Sequence, residues 1–296
     1  MLTKKYFIII AILLLSISAI QAKPLVVVLD WFLNPDHAPL IVAQQQGFFK
    51  KEGLDVKLTS PAQTEDAIKL VAAGKADVAV TYQPRFITIQ SRGLPVERVG
   101  TLIGAPLDCI LALKNGPITS IKKLKGKKVG YEGTGLAILK RMLQYNGLKL
   151  SDVKLIQSSG NMEQALLSHK IDAFIGGYRN FEAIEMTQLG HPPRIFYPEE
   201  NGVPLYDELI LVSNKKEANS ARIKKFMRAV QEGAVYLVNH PRQTWETFAK
   251  NHPELNNKLN KAAWFKTIPY FAINPLAYDQ QRYDNIAAFV NAKKEH

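Results

Sequence analysis

Apolar and polar positions along this chain switch repeatedly between two periods. Residues 25–29 are an unbroken apolar run of strand length. Residues 39–46 follow with helical spacing, a proline in the first turn and Gly47 at the end. Leu54-Asp55-Val56-Lys57-Leu58 has the period of two of a half-buried strand, 67–73 is helical and stops at Gly74, and 77–80 is again a strand. Strand alternating with helix predicts parallel sheets with helices on their faces.

The series then recurs. Residues 127–130 read as a strand, and 136–145 as a helix with Leu136, Leu139, Met142 and Leu143 on one face and Gly147 as its stop. Asp55-Val56-Lys57-Leu58 returns unchanged as Asp152-Val153-Lys154-Leu155, and Lys75-Ala76-Asp77 is echoed by Lys170-Ile171-Asp172. Asp77 and Asp172 each open an apolar strand that ends at a tyrosine, Tyr82 or Tyr178. Matching elements in one order, offset by about 95–100 residues, predict two α/β lobes on one βαβαβ plan. Lobe 1 is expected over 23–111 and 210–296, lobe 2 over 112–209, with a strand at 208–212 carrying the chain back. Beyond it the pattern is mainly helical (222–238, 244–251, 259–266, 276–292), broken at Pro241, Pro253 and Pro275. Two chain crossings between such lobes predict a hinged clamshell with a ligand cleft.

The N-terminus changes the setting. Lys4 and Lys5 precede an apolar stretch over 6–15, and small and polar residues lead on to Ala19 and Ala22. That order predicts a cleaved signal peptide over 1–22. Ser16, Ser18 and Gln21 interrupt the run, which is short for a membrane anchor. No cysteine lies near the cleavage region to take a lipid, so an exported protein of this kind is expected to be soluble in a Gram-negative periplasm. Cys109 is the only cysteine, so no intramolecular disulfide can form. Lys4 and Lys5 account for two of the +12 net charge, leaving +10 beyond them. The lysines are scattered apart from the cluster at 122–128, and no basic motif is interleaved with aromatics. Nucleic acid is therefore not an expected partner.

In open parallel sheets, ligands bind beyond the carboxyl ends of the strands. The residues that follow each strand are Asp30, Trp31 and Asn34, with His37 at the next helix start; Tyr82 and Gln83; Gly133 and Thr134; and Tyr178, Asn180 and Glu182. Aromatics, amides and carboxylates suit a planar, hydrogen-bonding small molecule stacked between rings. Each has a plainer alternative. Trp31 can be a core aromatic, the tyrosines can close their sheets, Asp30 can hold a turn, and Glu182 can sit solvated in a first helical turn. His37 suits a helix-start hydrogen bond better than a base. Gly130-Tyr131-Glu132-Gly133-Thr134-Gly135 lacks the spacing of a dinucleotide fingerprint or a P-loop, yet can offer backbone N–H groups at a helix start. The six histidines are dispersed, no pair has metal-site spacing, and there is no nucleophile elbow. No metal, cofactor or catalytic residue is expected.

Leu29-Asp30-Trp31-Phe32-Leu33-Asn34-Pro35-Asp36-His37-Ala38-Pro39, then Val42-Ala43-Gln44 and Gly47-Phe48-Phe49, resembles the thiamine-pyrimidine-type solute-binding proteins. These are relatives of alkanesulfonate receptors and of the eukaryotic pyrimidine synthases. Gly53-Leu54-Asp55-Val56, Gly126-Lys127-Lys128-Val129-Gly130, and Gly176-Gly177-Tyr178 with Asn180 and Glu182 support the resemblance across nearly the whole chain beyond residue 22. It implies a type II periplasmic-binding-protein fold, a monomer, and an aminopyrimidine thiamine precursor (a formylaminopyrimidine or hydroxymethylpyrimidine type) as ligand. It also implies delivery to the permease and ATPase of an ABC importer in the inner membrane. Glu182 would accept from the exocyclic amine, and Trp31 or a tyrosine would stack on the ring. An alkanesulfonate, a flavin or another small aromatic solute is the alternative ligand, and a pyrimidine-processing enzyme the alternative activity. Two positions depart from the family pattern. Arg179 stands where the importer receptors commonly have tryptophan. Thr81 and Arg85 stand where the synthases have a cofactor-binding lysine and a histidine, and the synthase cysteine cluster is absent.

Overall fold

The computed structural model describes residues 23–63, 66–131, 135–157 and 161–292. The expected signal peptide at 1–22 lies outside them. Among the described residues, no helix is long and apolar enough to cross a membrane.

Two five-stranded sheets organise the chain. The first holds β1 (Leu25–Val28), β2 (Val56–Thr59), β3 (Val78–Tyr82), β4 (Val96–Ile103) and β10 (Leu209–Asn214), in the order β2-β1-β3-β10-β4. The second holds β5 (Asp108–Leu113), β6 (Lys128–Tyr131), β7 (Lys154–Gln157), β8 (Ala173–Tyr178) and β9 (Pro193–Phe196), in the order β7-β6-β8-β5-β9. The internal repeat is thus a repeat of topology. β1 and β6 each pair in parallel with the next two strands of their own lobe. The echoed aspartates explain why these residues recur. Asp77 Oδ2 accepts from Val26 N at 2.8 Å and Asp172 Oδ2 accepts from Lys128 N at 2.8 Å, each carboxylate clipping the third strand to the first.

The sheets are mixed, where alternating elements predicted parallel ones. β10 runs antiparallel to β3 and β4, and β5 runs antiparallel to β8 and β9. Both strands begin where the chain arrives from the other lobe, at the edge where β3 and β8 end. A strand that starts at that edge must run against strands that finish there. The division expected at 111/112 falls inside β5, whose Cys109–Leu111 stretch pairs with β8. The apolar run through Leu111 gives no sign of which sheet receives it.

Eleven described helices cover the sheets, with α1 (Ala38–Gln45), α2 (Phe48–Lys51), α3 (Asp66–Ala72) and α4 (Gln83–Gln90) in the first series. α5 (Gly135–Tyr145), α6 (Met162–Leu167) and α7 (Glu182–Gln188) belong to the second. α8 (Ala221–Asn239), α9 (Pro241–Asn251), α10 (Lys258–Thr267) and α11 (Gln280–Asn291) follow β10. The last was expected from 276; Asp279 instead caps it by accepting from Arg282 N. Ser220 caps α8, and its buried positions Ile223, Phe226, Met227, Val230, Ala234 and Leu237 form one helical stripe. That stripe packs on α1. A Cβ at Gly233 would lie 2.4 Å from Pro39 O, so glycine alone permits this approach. α8 thereby fixes the start of α1, and with it the loop that carries Asp30 to His37.

Candidate functional site

Strand ends and strand starts meet at one edge of each sheet. Asp30 follows β1, Tyr82 ends β3, Tyr178 ends β8, Asp108 opens β5, and Glu208 immediately precedes β10. The structure joins Asp30, Tyr82, Tyr178, Glu208 and His37 by their side chains into one network, to which Asp108 is tied by its backbone N–H. Asp30 is buried between His37 Nε2, 2.8 Å from Oδ1, and the Tyr82 hydroxyl, which donates to Oδ2 at 2.8 Å. His37 Nδ1 accepts from Asn34 N at 3.3 Å, so Nε2 carries the proton toward Asp30. Burial alone would raise the Asp30 pKa; the hydrogen bonds from His37 and the Tyr82 hydroxyl outweigh it and hold the carboxyl below its ordinary value. Tyr82 lies against Tyr178, whose hydroxyl donates to Glu208 Oε1 at 3.3 Å. Glu208 Oε2 accepts from Leu107 N at 2.6 Å and Asp108 N at 3.1 Å, and Asp108 Oδ1 accepts from Gly176 N at 2.9 Å.

Around this network the carboxyls crowd. Burial pushes Asp36 up to about 6, with Asp30 adding repulsion, and pushes Glu208 up to about 7. Asp108 is raised well above its ordinary value by burial and by the Glu208 charge. Glu182, in the first turn of α7, accepts from Tyr178 N at 2.7 Å through Oε2. Desolvation lifts it to about 7, with Asp36 and Glu185 repelling it, against the lowering effect of the backbone donors. Glu163 on α6 reaches about 8 by burial beside Glu182 and Glu185. Ionised, these groups accept hydrogen bonds from N–H donors; protonated, they can also donate one. Among the described residues, no group of three or more His, Cys, Asp or Glu could hold a metal ion.

The residues expected at the cleft have several fates. Asp30, Tyr82, Tyr178, Asn180 and Glu182 come together. His37 orients Asp30 from a fully buried position. Trp31 and Phe32 stand 51% and 64% exposed, edge to face at 5.3 Å. Asn34 is occupied locally: Oδ1 accepts from Asp36 N, and Nδ2 donates to Phe32 O. Gln83 is a buried strut whose Oε1 accepts from Asp207 N at 2.7 Å. Gly133 and Thr134 lie outside the described residues. Arg179 pairs twice with Glu199, at 2.6 and 2.9 Å, and lies 4.3 Å from the Tyr197 ring centroid, so its guanidinium is held flat.

Asp36, Asp108, Glu208 and Thr267 were not expected in the site. Asp108 and Glu208 stand at the starts of antiparallel strands, outside the rule that ligands bind beyond the carboxyl ends of parallel strands. The usable signal was an acid directly before each apolar run. Asp36 had a signal too: it is the acid between Pro35 and His37 in the conspicuous 29–39 motif.

A family described as NMT1/THI5 like matches residues 34–244. A Haemophilus influenzae protein named for thiamine biosynthesis is 40% identical over 292 residues, 98% of this chain and 93% of that one. The formylaminopyrimidine-binding protein of Halalkalibacterium halodurans is 34% identical over 237 residues, 79% of this chain and 72% of its own. A Uromyces fabae relative, 29% identical over 83% of this chain and 76% of its own, is named a 4-amino-5-hydroxymethyl-2-methylpyrimidine phosphate synthase. The periplasmic aliphatic sulphonate binding protein SsuA of Escherichia coli superimposes with a TM-score of 0.69 at 18% identity over 88% of each chain. That likeness makes the two-lobed architecture a periplasmic-binding-protein fold. The match over residues 34–244 spans the Asn34–His37 turn, β8 and Glu182. This chain belongs to the NMT1/THI5-like family.

Proposed function

We propose that this protein is the periplasmic solute-binding component of an ABC importer and carries an aminopyrimidine precursor of thiamine to a membrane permease. The observation that carries the reading is the cluster of hydrogen-bonding carboxyls in the site. Asp30, Asp36, Asp108, Glu182 and Glu208 gather at the facing sheet edges of a chain whose net charge is +12. An aminopyrimidine offers an exocyclic amine and a ring nitrogen to such acceptors and a flat face to aromatic rings. A sulfonate would meet like charge at Asp30, the carboxyl held in its ionised form; two unit charges 4 Å apart near a protein surface repel by about 4 kcal/mol. The 34%-identical relative named a formylaminopyrimidine-binding protein supports the same ligand class. An enzymatic reading, suggested by the relatives named synthases, finds less support. Thr81 lies buried in β3 and Arg85 on α4, and neither supplies an amine nucleophile or an imidazole at those positions.

Calorimetry with a formylaminopyrimidine and with an alkanesulfonate tests the proposal, alongside native mass spectrometry of gently purified protein. Saturable heat with the pyrimidine and none with the sulfonate is expected. Tight sulfonate binding, or turnover of the pyrimidine, would replace the reading.

A further inference from the structure

Asn180 follows β8 of the second lobe and is fully buried against the first. Its Nδ2 donates to Asp36 Oδ1 at 2.6 Å and to Thr267 Oγ1 at 2.7 Å. Asp36 lies in the turn before α1, and Thr267 is the last residue of α10, so both partners belong to elements of the first lobe. The hydrogens can be assigned. The Thr267 hydroxyl has one proton and two acceptors in reach, Ala263 O at 2.7 Å and Asp36 Oδ1 at 3.2 Å, and with either its oxygen is left to accept. Both amide hydrogens of Asn180 are therefore committed to the opposite lobe. Its Oδ1 is buried and has no partner among the described residues. A buried acceptor without a donor is costly, and native structures rarely keep one. The closed arrangement is one donor short at this atom, two residues before Glu182.

We propose that Asp36, Asn180 and Thr267 form a clasp that holds the lobes closed, and that an N–H of the bound molecule completes it at Asn180 Oδ1. The second half of this assignment rests on the aminopyrimidine reading; the first does not. Asn180 and Asp36 act as positioning residues. They would link occupation of the cleft to closure because one amide would serve both the opposite lobe and the ligand. A solute without an N–H donor would leave Oδ1 unpaired, so the clasp also selects against such solutes.

A polarity swap tests it. Asn180→Asp sets two carboxyls against each other across the lobes. Asp36→Asn with Asn180→Asp restores the Asp36 bond in reverse order, lets the Thr267 hydroxyl turn from Ala263 O to donate to the new carboxylate, and keeps an oxygen for the ligand. The closed fraction is read from interlobe distances between spin labels at the exposed positions Lys57→Cys and Lys154→Cys, with and without a formylaminopyrimidine, and affinity by calorimetry. Asn180→Asp should lower the closed fraction and weaken binding about tenfold to hundredfold. The double variant should return both to within about threefold of wild type. Thr267→Val, which removes one acceptor with little change of shape, should open the lobes partway even if Asn180→Asp folds poorly. An unchanged closed fraction in the Asn180→Asp and Thr267→Val proteins, or a swap no better than Asn180→Asp, overturns the clasp. Failure of wild type to bind the pyrimidine overturns the ligand reading and the role of Oδ1, while the distances still decide the clasp.

Discussion

The Tyr178 hydroxyl donates to Glu208 Oε1 at 3.3 Å, tying the last residue of β8 to the residue that leads into β10. The other oxygen of Glu208 holds Leu107 N and Asp108 N, where the chain first passes between the sheets. One buried carboxyl therefore joins both chain crossings, and its acceptor sites matter more than its charge. Glu208→Ala would leave two buried backbone N–H groups unpaired, at about 1–3 kcal/mol each. Chemical denaturation should show a loss of about 2–5 kcal/mol for Glu208→Ala. Glu208→Gln, which keeps an acceptor oxygen, should lose less than about 1.5 kcal/mol. Equal losses in the two variants would mean that the backbone bonds contribute little.

The crowded carboxyls set a pH dependence with a definite sign. Asp36 at about 6, Glu182 and Glu208 at about 7 and Glu163 at about 8 hold protons more tightly in the folded protein than in the unfolded chain. Unfolding between roughly pH 5 and 8 therefore releases protons, and raising the pH favours it. The stabilising contribution is complete below the ordinary carboxyl range and is lost as pH rises through 6 to 8. Asp30, held below its ordinary value, acts in the opposite sense only at acid pH. Thermal unfolding of ligand-free protein should give a higher Tm at pH 5.5 than at pH 8, and Glu208→Gln should flatten part of the slope. A Tm that climbs steadily from 5.5 to 8 would refute the raised values.

Much of this arrangement was legible in the chain, and the unread parts share a cause. The strand and helix series, the tyrosines at equivalent strand ends and the Asp77 and Asp172 echoes were visible because local periodicity and turn residues encode them. β4 was not: Val96-Glu97-Arg98-Val99-Gly100 mixes charge with apolar residues, and its pairing with β10 is settled by the fold. Strand direction at β5 and β10 depends on where the chain crosses, which no local pattern records. Asn34, Gln83 and Asn180 look alike as amides in a sequence. Only the fold decides that the first caps a turn, the second braces a crossing and the third bridges two lobes.

The repeat also exposes an imperfection. His169 is the only non-glycine with positive φ among the described residues, at 58°, and its counterpart before the first Lys-x-Asp echo is Gly74, at 68°. A left-handed residue with a Cβ costs about 1–2 kcal/mol, partly offset by the extra freedom glycine brings to the unfolded chain. His169→Gly should stabilise by about 0.5–1 kcal/mol, raising Tm by roughly 1–4 °C without changing ligand affinity. Any loss of stability would mean that the His169 side chain makes compensating contacts.

Trp31 separates binding from folding. Half of its surface is exposed, so Trp31→Ala should leave Tm within about 2 °C. Base-on-aromatic stacking is worth about 1–3 kcal/mol, so pyrimidine affinity should fall at least about fivefold. Phe32→Ala is the companion, since Phe32 meets Trp31 edge-on and sets its ring plane. Unaltered calorimetric affinity in Trp31→Ala would assign the stacking to Tyr82 or Tyr178 instead.

Glu182 gives the sharpest test, because its pKa of about 7 decides how it can meet a pyrimidine. Near neutrality the carboxyl is about half protonated. One oxygen can accept from the exocyclic amine while a single proton is shared between the other oxygen and the ring nitrogen, a charge-assisted pair. Glu182→Gln keeps one donor and one acceptor but makes both bonds neutral. Such bonds are about half as strong, so affinity at pH 7 should fall about tenfold. Glu182→Ala removes both bonds and should lose about a hundredfold. The pH profile isolates the proton. Wild-type affinity should decline from pH 7 to 9 as Glu182 gives up its proton and presents a bare carboxylate to the ring nitrogen. In the Gln variant that part of the slope should vanish, since an amide does not titrate. An alkanesulfonate ligand predicts the reverse, because removing a carboxylate beside an anion preserves or strengthens binding. Calorimetry of wild type and both variants at pH 6, 7, 8 and 9 reads all of this. Equal pyrimidine affinity and slope in wild type and Glu182→Gln would remove Glu182 from the site.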